Sequence, residues 1–137
     1  MNINIFYDNV RYRLKDKKRV ITFIEKVIRN KRRIPGDLFF IFTNDRKIRG
    51  INKEFLKHDY PTDIITFDNS EGKNISGEIY ISIDTVKLNA IKYEVTIEDE
   101  VLRIIVHGIL HLCGYDDKSE KDKSEMTKEE NTNMLLY

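Results

Sequence analysis

Hydrophobic and polar residues form four patterns along the chain that predict β-strands. Strict alternation over residues 2–6 and 77–83 predicts strands with one buried face. A continuous apolar run over 38–42 predicts a strand that is buried on both faces. A shorter apolar run predicts a fourth strand over 64–67.

Helical spacing of apolar residues predicts three helices, and capping residues predict two more, the last of which is highly charged. The predicted helices run over about residues 17–30, 45–55, 85–93, 97–112 and 120–133. The N-caps of the last four are predicted at Asn44 or Asp45, Asp84, Thr96 and Ser119. The helix over 97–112 is apolar on most of its circumference, which indicates that it is buried.

The mixed order of strands and helices predicts an α+β fold. We expect a single domain over residues 1–137, in which a mixed four-stranded sheet is packed with helices around the helix over 97–112. Pro35-Gly36 predicts a turn, and the polar segment 68–76 predicts a mobile loop.

Composition places the chain among globular proteins of the cytoplasm. Hydrophobic residues make up 40% and charged residues 34%, no apolar run has the length of a membrane span, and the N-terminus lacks the pattern of a signal peptide. The single cysteine excludes an internal disulfide. Residues 11–33 carry eleven Lys and Arg against two acidic residues, which suits a nucleic-acid backbone or a solvated helix face.

The apolar helix over 97–112 also carries the chain's strongest chemical signal. His107 and His111 lie four residues apart and therefore on one face of that helix. Gly114 favours a helix end, after which the chain turns back with Asp116 or Asp117. Two imidazoles, one carboxylate and an open position are the ligand set of a catalytic zinc, whereas a single histidine here would be an ordinary core residue.

Gly108 distinguishes this pattern from that of zinc proteases. Proteases of the H-E-x-x-H type carry their general base at that position. A helix-interior glycine costs about 1 kcal/mol relative to alanine, so close packing or a substrate needs the space. A general base must then come from elsewhere, and the candidates are Asp63 and Asp116. Thr62 and Asp63 alternatively form a turn that only shapes the loop.

Three blocks of the sequence resemble the YbeY family of bacterial endoribonucleases: Asn52 with Pro61–Phe67, Gly77–Ser82, and the stretch His107–Asp117. The last block carries the H-G-x-L-H-L-x-G-Y-D-H signature except for its final histidine, which is Asp117 here. The resemblance implies one zinc ion per chain held by His107, His111 and Asp117, with Asp116 as an alternative ligand or as an acceptor that orients an imidazole.

The resemblance also implies an activity and its partners. We expect a zinc-dependent, single-strand-specific endoribonuclease that acts in maturation of small-subunit (16S) ribosomal RNA and in ribosome quality control. Small-subunit ribosomal proteins are then candidate partners, and no membrane is involved.

Two departures from the family pattern keep other functions open. Asp117 replaces the third histidine, and Leu56 stands where the family carries an arginine, so Lys57 or His58 would have to contact RNA phosphate. The alternatives are a non-catalytic ribosome assembly factor with a structural metal, and a metallohydrolase that acts on another bond.

Overall fold

The computed structural model describes residues 2–137 and contains four strands and five helices. In chain order the elements are β1 (Asn2–Tyr7), α1 (Lys17–Asn30), β2 (Ile34–Thr43), α2 (Asp45–Leu56), β3 (Ile64–Asp68), β4 (Asn74–Ser82), α3 (Ile83–Lys92), α4 (Ile97–Leu112) and α5 (Glu120–Met134). The type and order of every predicted element are confirmed. Within residues 2–137, no helix is both long enough and apolar enough to cross a membrane.

The four strands form one mixed sheet in the order β1-β2-β4-β3. β2 pairs in parallel with β1 and β4, whereas β3 runs antiparallel to β4 and forms an edge. The predicted α+β fold with a mixed four-stranded sheet is therefore confirmed.

The two faces of the sheet are covered unequally. Leu38, Phe40 and Phe42 of β2 are fully buried under α1 and α4, while Phe39 on the opposite face is 36% exposed. The prediction that the run over 38–42 is buried on both faces is therefore wrong. Among the helices of residues 2–137, α2 alone lies on the second face, where it packs on β3 and β4.

Helix α4 is the central packing element, as the sequence predicted. It contacts α1, α3, α5, β3 and β4, and most of its residues are buried. Thr96 caps it by accepting a hydrogen bond from the Asp99 amide at 3.1 Å. A Cβ atom at Gly108 would lie 2.9 Å from Ile64 Cδ1 on β3 and 3.4 Å from Ile79 on β4. Close packing of helix on sheet therefore explains the interior glycine.

Three predicted boundaries differ from the structure. Pro35 and Gly36 lie inside β2, where the pairing register shifts, instead of forming a turn. β4 begins at Asn74, so the loop predicted over 68–76 is only a short connection between paired strands. The cap of α3 is Ser82, whereas Asp84 accepts a hydrogen bond from the Asp45 amide at the start of α2.

Replacing Gly77 with alanine is expected to lower the free energy of unfolding by about 2 kcal/mol or more, because the new Cβ would lie 2.3 Å from the Phe67 carbonyl oxygen of β3. Gly50→Ala is the matched control. No atom lies within 4 Å of the position of its Cβ, and alanine is the better helix former by about 1 kcal/mol. Urea unfolding of both variants checks this, and an unchanged midpoint for Gly77→Ala would contradict it.

Candidate metal centre

The side chains of His107, His111 and Asp117 converge at the C-terminal end of α4. Their nearest ligand atoms all lie within 4.8 Å of one another. Asp117 Oδ2 is 3.4 Å from His107 Nε2 and 3.5 Å from His111 Nε2, and the two Nε2 atoms are 3.0 Å apart. The three residues singled out by spacing and resemblance thus form one cluster.

These separations fit a single divalent ion. Ligand atoms held at about 2.0–2.2 Å in tetrahedral coordination lie about 3.3–3.6 Å apart. Both carboxylate–imidazole distances fall in that range, and the imidazole pair is slightly closer. Two neutral nitrogens and one anionic oxygen also suit a divalent metal chemically.

The end of α4 determines how the cluster is assembled. Gly114 adopts a φ of 101°, and its amide donates to the His111 carbonyl at 3.0 Å. The Tyr115 amide donates to the Leu110 carbonyl at 3.0 Å, which reverses the chain direction. Asp117 then returns beside the histidines with 45% of its side chain exposed, so the cluster opens toward solvent on that side.

Glu130 on α5 contacts the cluster and was missed by sequence reasoning. One of its carboxylate oxygens lies 2.6 Å from His107 Nδ1, and the residue is only 8% exposed. A carboxylate at Nδ1 holds the proton there and leaves Nε2 free to bind a metal. The sequence feature that could have identified Glu130 is its position on the same face of α5 as Met126 and Asn133, the other two buried residues of that helix.

Arg103 completes this arrangement on α4. Its guanidinium donates to Glu130 Oε1 at 3.2 Å and to Asn131 Oδ1 at 2.9 Å. Both oxygens of the Glu130 carboxylate therefore have partners, which fixes the plane of the carboxylate against the imidazole of His107. The chain Arg103–Glu130–His107 joins α4 to α5 beside the metal ligands.

The same contacts change the pKa of His107. Burial lowers it, but the hydrogen bond to Glu130 and the charges of Glu130, Asp117 and Asp63 outweigh burial, so the pKa lies above its ordinary value of 6.5. A raised histidine pKa contributes stability that is fully present below about pH 6.5 and is lost as the pH rises through the raised value.

The Glu130→Gln variant of the metal-free protein is therefore expected to lose most of this pH dependence, because glutamine supplies no charge to His107. Urea unfolding between pH 5.5 and 8.5 would measure it. Glu125→Gln, an exposed change on the same helix, should keep the parent slope. A Glu130→Gln protein whose stability falls with pH as steeply as the parent's would overturn this account.

Asp63 lies close to the metal cluster, immediately before β3. Its carboxylate accepts hydrogen bonds from Asn89 Nδ2 and Thr62 Oγ1, both at 3.4 Å. Burial raises the pKa of Asp63, although the charge of His107 opposes the shift. Asp63 and His107 border the same cavity, which has a volume of about 500 Å³.

The other predicted site residues lie elsewhere. Asp116 is exposed and is not part of the ligand cluster found within residues 2–137. Lys57 ends α2 in a left-handed conformation with φ 62°. The ring of His58 stacks on Tyr60, with centroids 5.2 Å apart. Asn52, which is buried, anchors this loop by donating to the Tyr60 carbonyl at 2.9 Å.

Comparison with known proteins gives consistent relatives. A family model described as Endoribonuclease YbeY matches residues 6–136. The chain is 41% identical over 136 residues to Endoribonuclease YbeY of Parabacteroides distasonis, which covers 99% of this chain and 96% of that protein. It is also 41% identical over 135 residues to Endoribonuclease YbeY of Cytophaga hutchinsonii, which covers 98% and 94%.

A solved structure supports the fold. The solution structure of a protein from Thermotoga maritima superposes with a TM-score of 0.70 at 28% sequence identity. The match covers 98% of this chain and 88% of that one.

Proposed function

Because the chain belongs to the Endoribonuclease YbeY family, we propose that it is a metal-dependent endoribonuclease that cleaves single-stranded RNA during maturation of 16S ribosomal RNA and in ribosome quality control. The observation that carries the proposal is the cluster of His107, His111 and Asp117, in which both carboxylate–imidazole separations match a tetrahedral site. The whole chain would act as one metallohydrolase domain.

Zinc is the metal we propose, at one ion per chain. The donor set of two imidazoles and one carboxylate supports this choice. When bound, zinc supplies Lewis-acid chemistry, lowering the pKa of water and polarising a phosphoryl oxygen. The protein contributes fixed imidazoles, since Glu130 sets the tautomer of His107.

Asp63 is the proposed general base. Its raised pKa makes it a better proton acceptor than an ordinary aspartate, and it borders the cavity that reaches His107. It would take a proton from water or from the ribose 2′-hydroxyl. Asp116 is the second candidate for this role.

Lys57 and His58 are proposed to contact RNA phosphate from the exposed loop before β3.

Asp63→Asn is expected to lower the cleavage rate about 10²- to 10⁴-fold, the usual contribution of general base catalysis. It should not reduce stability: the raised pKa means that the fold disfavours the ionised carboxylate at neutral pH, and asparagine carries no charge. Gel-based cleavage of a labelled single strand and thermal unfolding measure the two effects. Asp37→Asn, an exposed change, is the control. Full cleavage activity in the Asp63→Asn variant would show that another residue is the general base.

The alternative function, a non-catalytic assembly factor with a structural metal, requires a different kind of metal site. A structural zinc site is closed by four protein ligands. Within residues 2–137 the cluster has three ligands, and the Asp117 side chain is 45% exposed, which supports a site open to substrate. Cleavage of single-stranded but not double-stranded RNA, lost on chelation, would test the catalytic proposal directly.

A cytoplasmic location and contact with small-subunit ribosomal proteins complete the proposal. Both follow from the proposed substrate, since ribosomal RNA is processed while it is assembled with those proteins. Co-sedimentation of the protein with small subunits at moderate salt would test the contact.

A further inference from the structure

The cavity beside His107 extends from the metal cluster along α4 toward the start of that helix. It is bordered by Glu100, Arg103 and His107 on α4, by Asp63, and by Asn89 and Tyr93 at the end of α3. Its volume of about 500 Å³ lies within the usual range of small-molecule sites, about 300–1,000 Å³. Of the three candidate metal ligands only His107 borders this cavity, at one end of it.

Glu100 is the residue that the metal centre does not use. It is 5% exposed, and no group among residues 2–137 donates a hydrogen bond to its carboxylate. The only fully enclosed side-chain polar atom without a partner in that part of the chain is Thr43 Oγ1. The Glu100 oxygens are therefore open to the cavity, and burial raises the pKa of the group. An unpartnered buried carboxylate is costly, so a donor from outside the protein would stabilise it.

A second metal ion does not fit this part of the cavity. Within residues 2–137, His107, His111 and Asp117 are the only set of three or more His, Cys, Asp or Glu residues whose ligand atoms all lie within 4.8 Å of one another. Asp63 and Glu100 therefore have no third ligand with which to hold one ion. A ligand with its own N–H donors is the other kind of group that would satisfy the Glu100 carboxylate.

The charge at the end of the cavity around Glu100, away from His107, also disfavours a phosphate group there. Asp63, Glu100 and Glu130 face the cavity with three carboxylates, and Arg103 is the only permanently charged cation at its border. Arg103 is already paired with Glu130 at 3.2 Å. A neutral planar group with N–H donors suits these surroundings, and Tyr93, 56% exposed at the border, offers an aromatic face for stacking.

We propose that this cavity is a nucleobase subsite that selects guanine next to the cleaved bond, with Glu100 accepting hydrogen bonds from the base edge and Tyr93 stacking on the ring. Guanine presents two parallel N–H donors, N1–H and the 2-amino group, which match one carboxylate in the bidentate manner. Uracil presents one donor between two carbonyl acceptors, which the carboxylates repel. The inference rests on the proposed function because it takes RNA as the substrate.

Nucleoside binding tests the subsite without cleavage. Titration of ¹⁵N-labelled protein with guanosine, inosine and uridine, followed by NMR, is expected to shift the Asn89, Tyr93 and Glu100 amides. Guanosine should bind about tenfold more tightly than uridine, with inosine between them because it lacks the 2-amino group. Equal affinities, or shifts confined to another surface, would overturn the proposal.

Variants assign the recognition to particular side chains. Glu100→Gln should bring the guanosine-to-uridine ratio close to one while metal content stays at the parent level. Glu98→Gln on the exposed side of the same helix should keep the ratio. Tyr93→Leu, an exposed change that the fold tolerates, should weaken all three nucleosides about tenfold. A parent-like ratio in Glu100→Gln, or parent-like affinities in Tyr93→Leu, would each contradict the assignment.

The two proposals fail separately. Guanosine selectivity in a protein that cleaves no RNA would retain the subsite and remove the endoribonuclease activity. Metal-dependent cleavage of RNA with no nucleoside selectivity would retain the endoribonuclease activity and remove the guanine subsite.

Discussion

His111→Ala is expected to lower the metal content from about one ion per chain to near zero and to reduce cleavage of single-stranded RNA by at least about 10³-fold. His111 Nε2 lies within 3.5 Å of both other ligand atoms, so its removal leaves one imidazole and one partly exposed carboxylate. Two such ligands bind a divalent ion weakly. Elemental analysis of purified protein and a gel-based cleavage assay give the two readouts.

The control for His111→Ala is Lys118→Ala, an exposed change next to the ligand Asp117 that should keep both metal and activity. Thermal unfolding shows whether the His111 variant is folded, and its half-buried ring predicts that it is. Cleavage that persists in folded, metal-free His111→Ala would refute the metal-dependent mechanism.

Asp117→Ala is expected to weaken metal binding by at least about 100-fold, whereas Asp116→Ala should leave it unchanged. Asp117 contacts both histidines at 3.4–3.5 Å, while Asp116 stands outside the cluster. Metal titration with a competing chelator measures both affinities. The reverse order of effects would make Asp116 the third ligand.

Asp117→His extends this test to the chemistry of the site. Histidine is neutral, so the bound metal would keep more of its positive charge than it does beside aspartate. Metal binding should survive, and the rise of the cleavage rate with pH should move to lower pH. An unchanged pH profile would show that the charge of the third ligand does not control the rate.

The elements and the ligand cluster were accessible from sequence because they depend on local patterns. The pair His107 and His111 is defined by helical spacing, and Gly114 marks the turn that brings the chain back. The predicted caps Asn44 and Ser119 are confirmed, because their side chains accept hydrogen bonds from the amides three residues ahead. The choice of Asp117 over Asp116 came from the family signature, and helical spacing alone left both open.

The features that sequence reasoning missed depend on contacts between distant segments. Glu130 belongs to a highly charged helix, and its role becomes visible only when α5 packs beside His107. Glu100 was part of the acidic first turn of α4, where a solvated position is the usual expectation. Phe39 was assigned to the core because apolar content does not tell which face of a sheet lacks a covering helix.

The contact between Glu130 and His107 has a consequence for the order in which the protein acquires activity. Synthesis runs from the N-terminus, so all three ligands leave the ribosome before Glu130 does. Until α5 has emerged and packed against α4, neither the ring orientation nor the protonated nitrogen of His107 is fixed. A chain in which α4 has formed but α5 has not packed therefore has the three candidate ligands without the carboxylate that fixes one of them. Orientation of the His107 ring is thus coupled to docking of α5, the last helix along the chain.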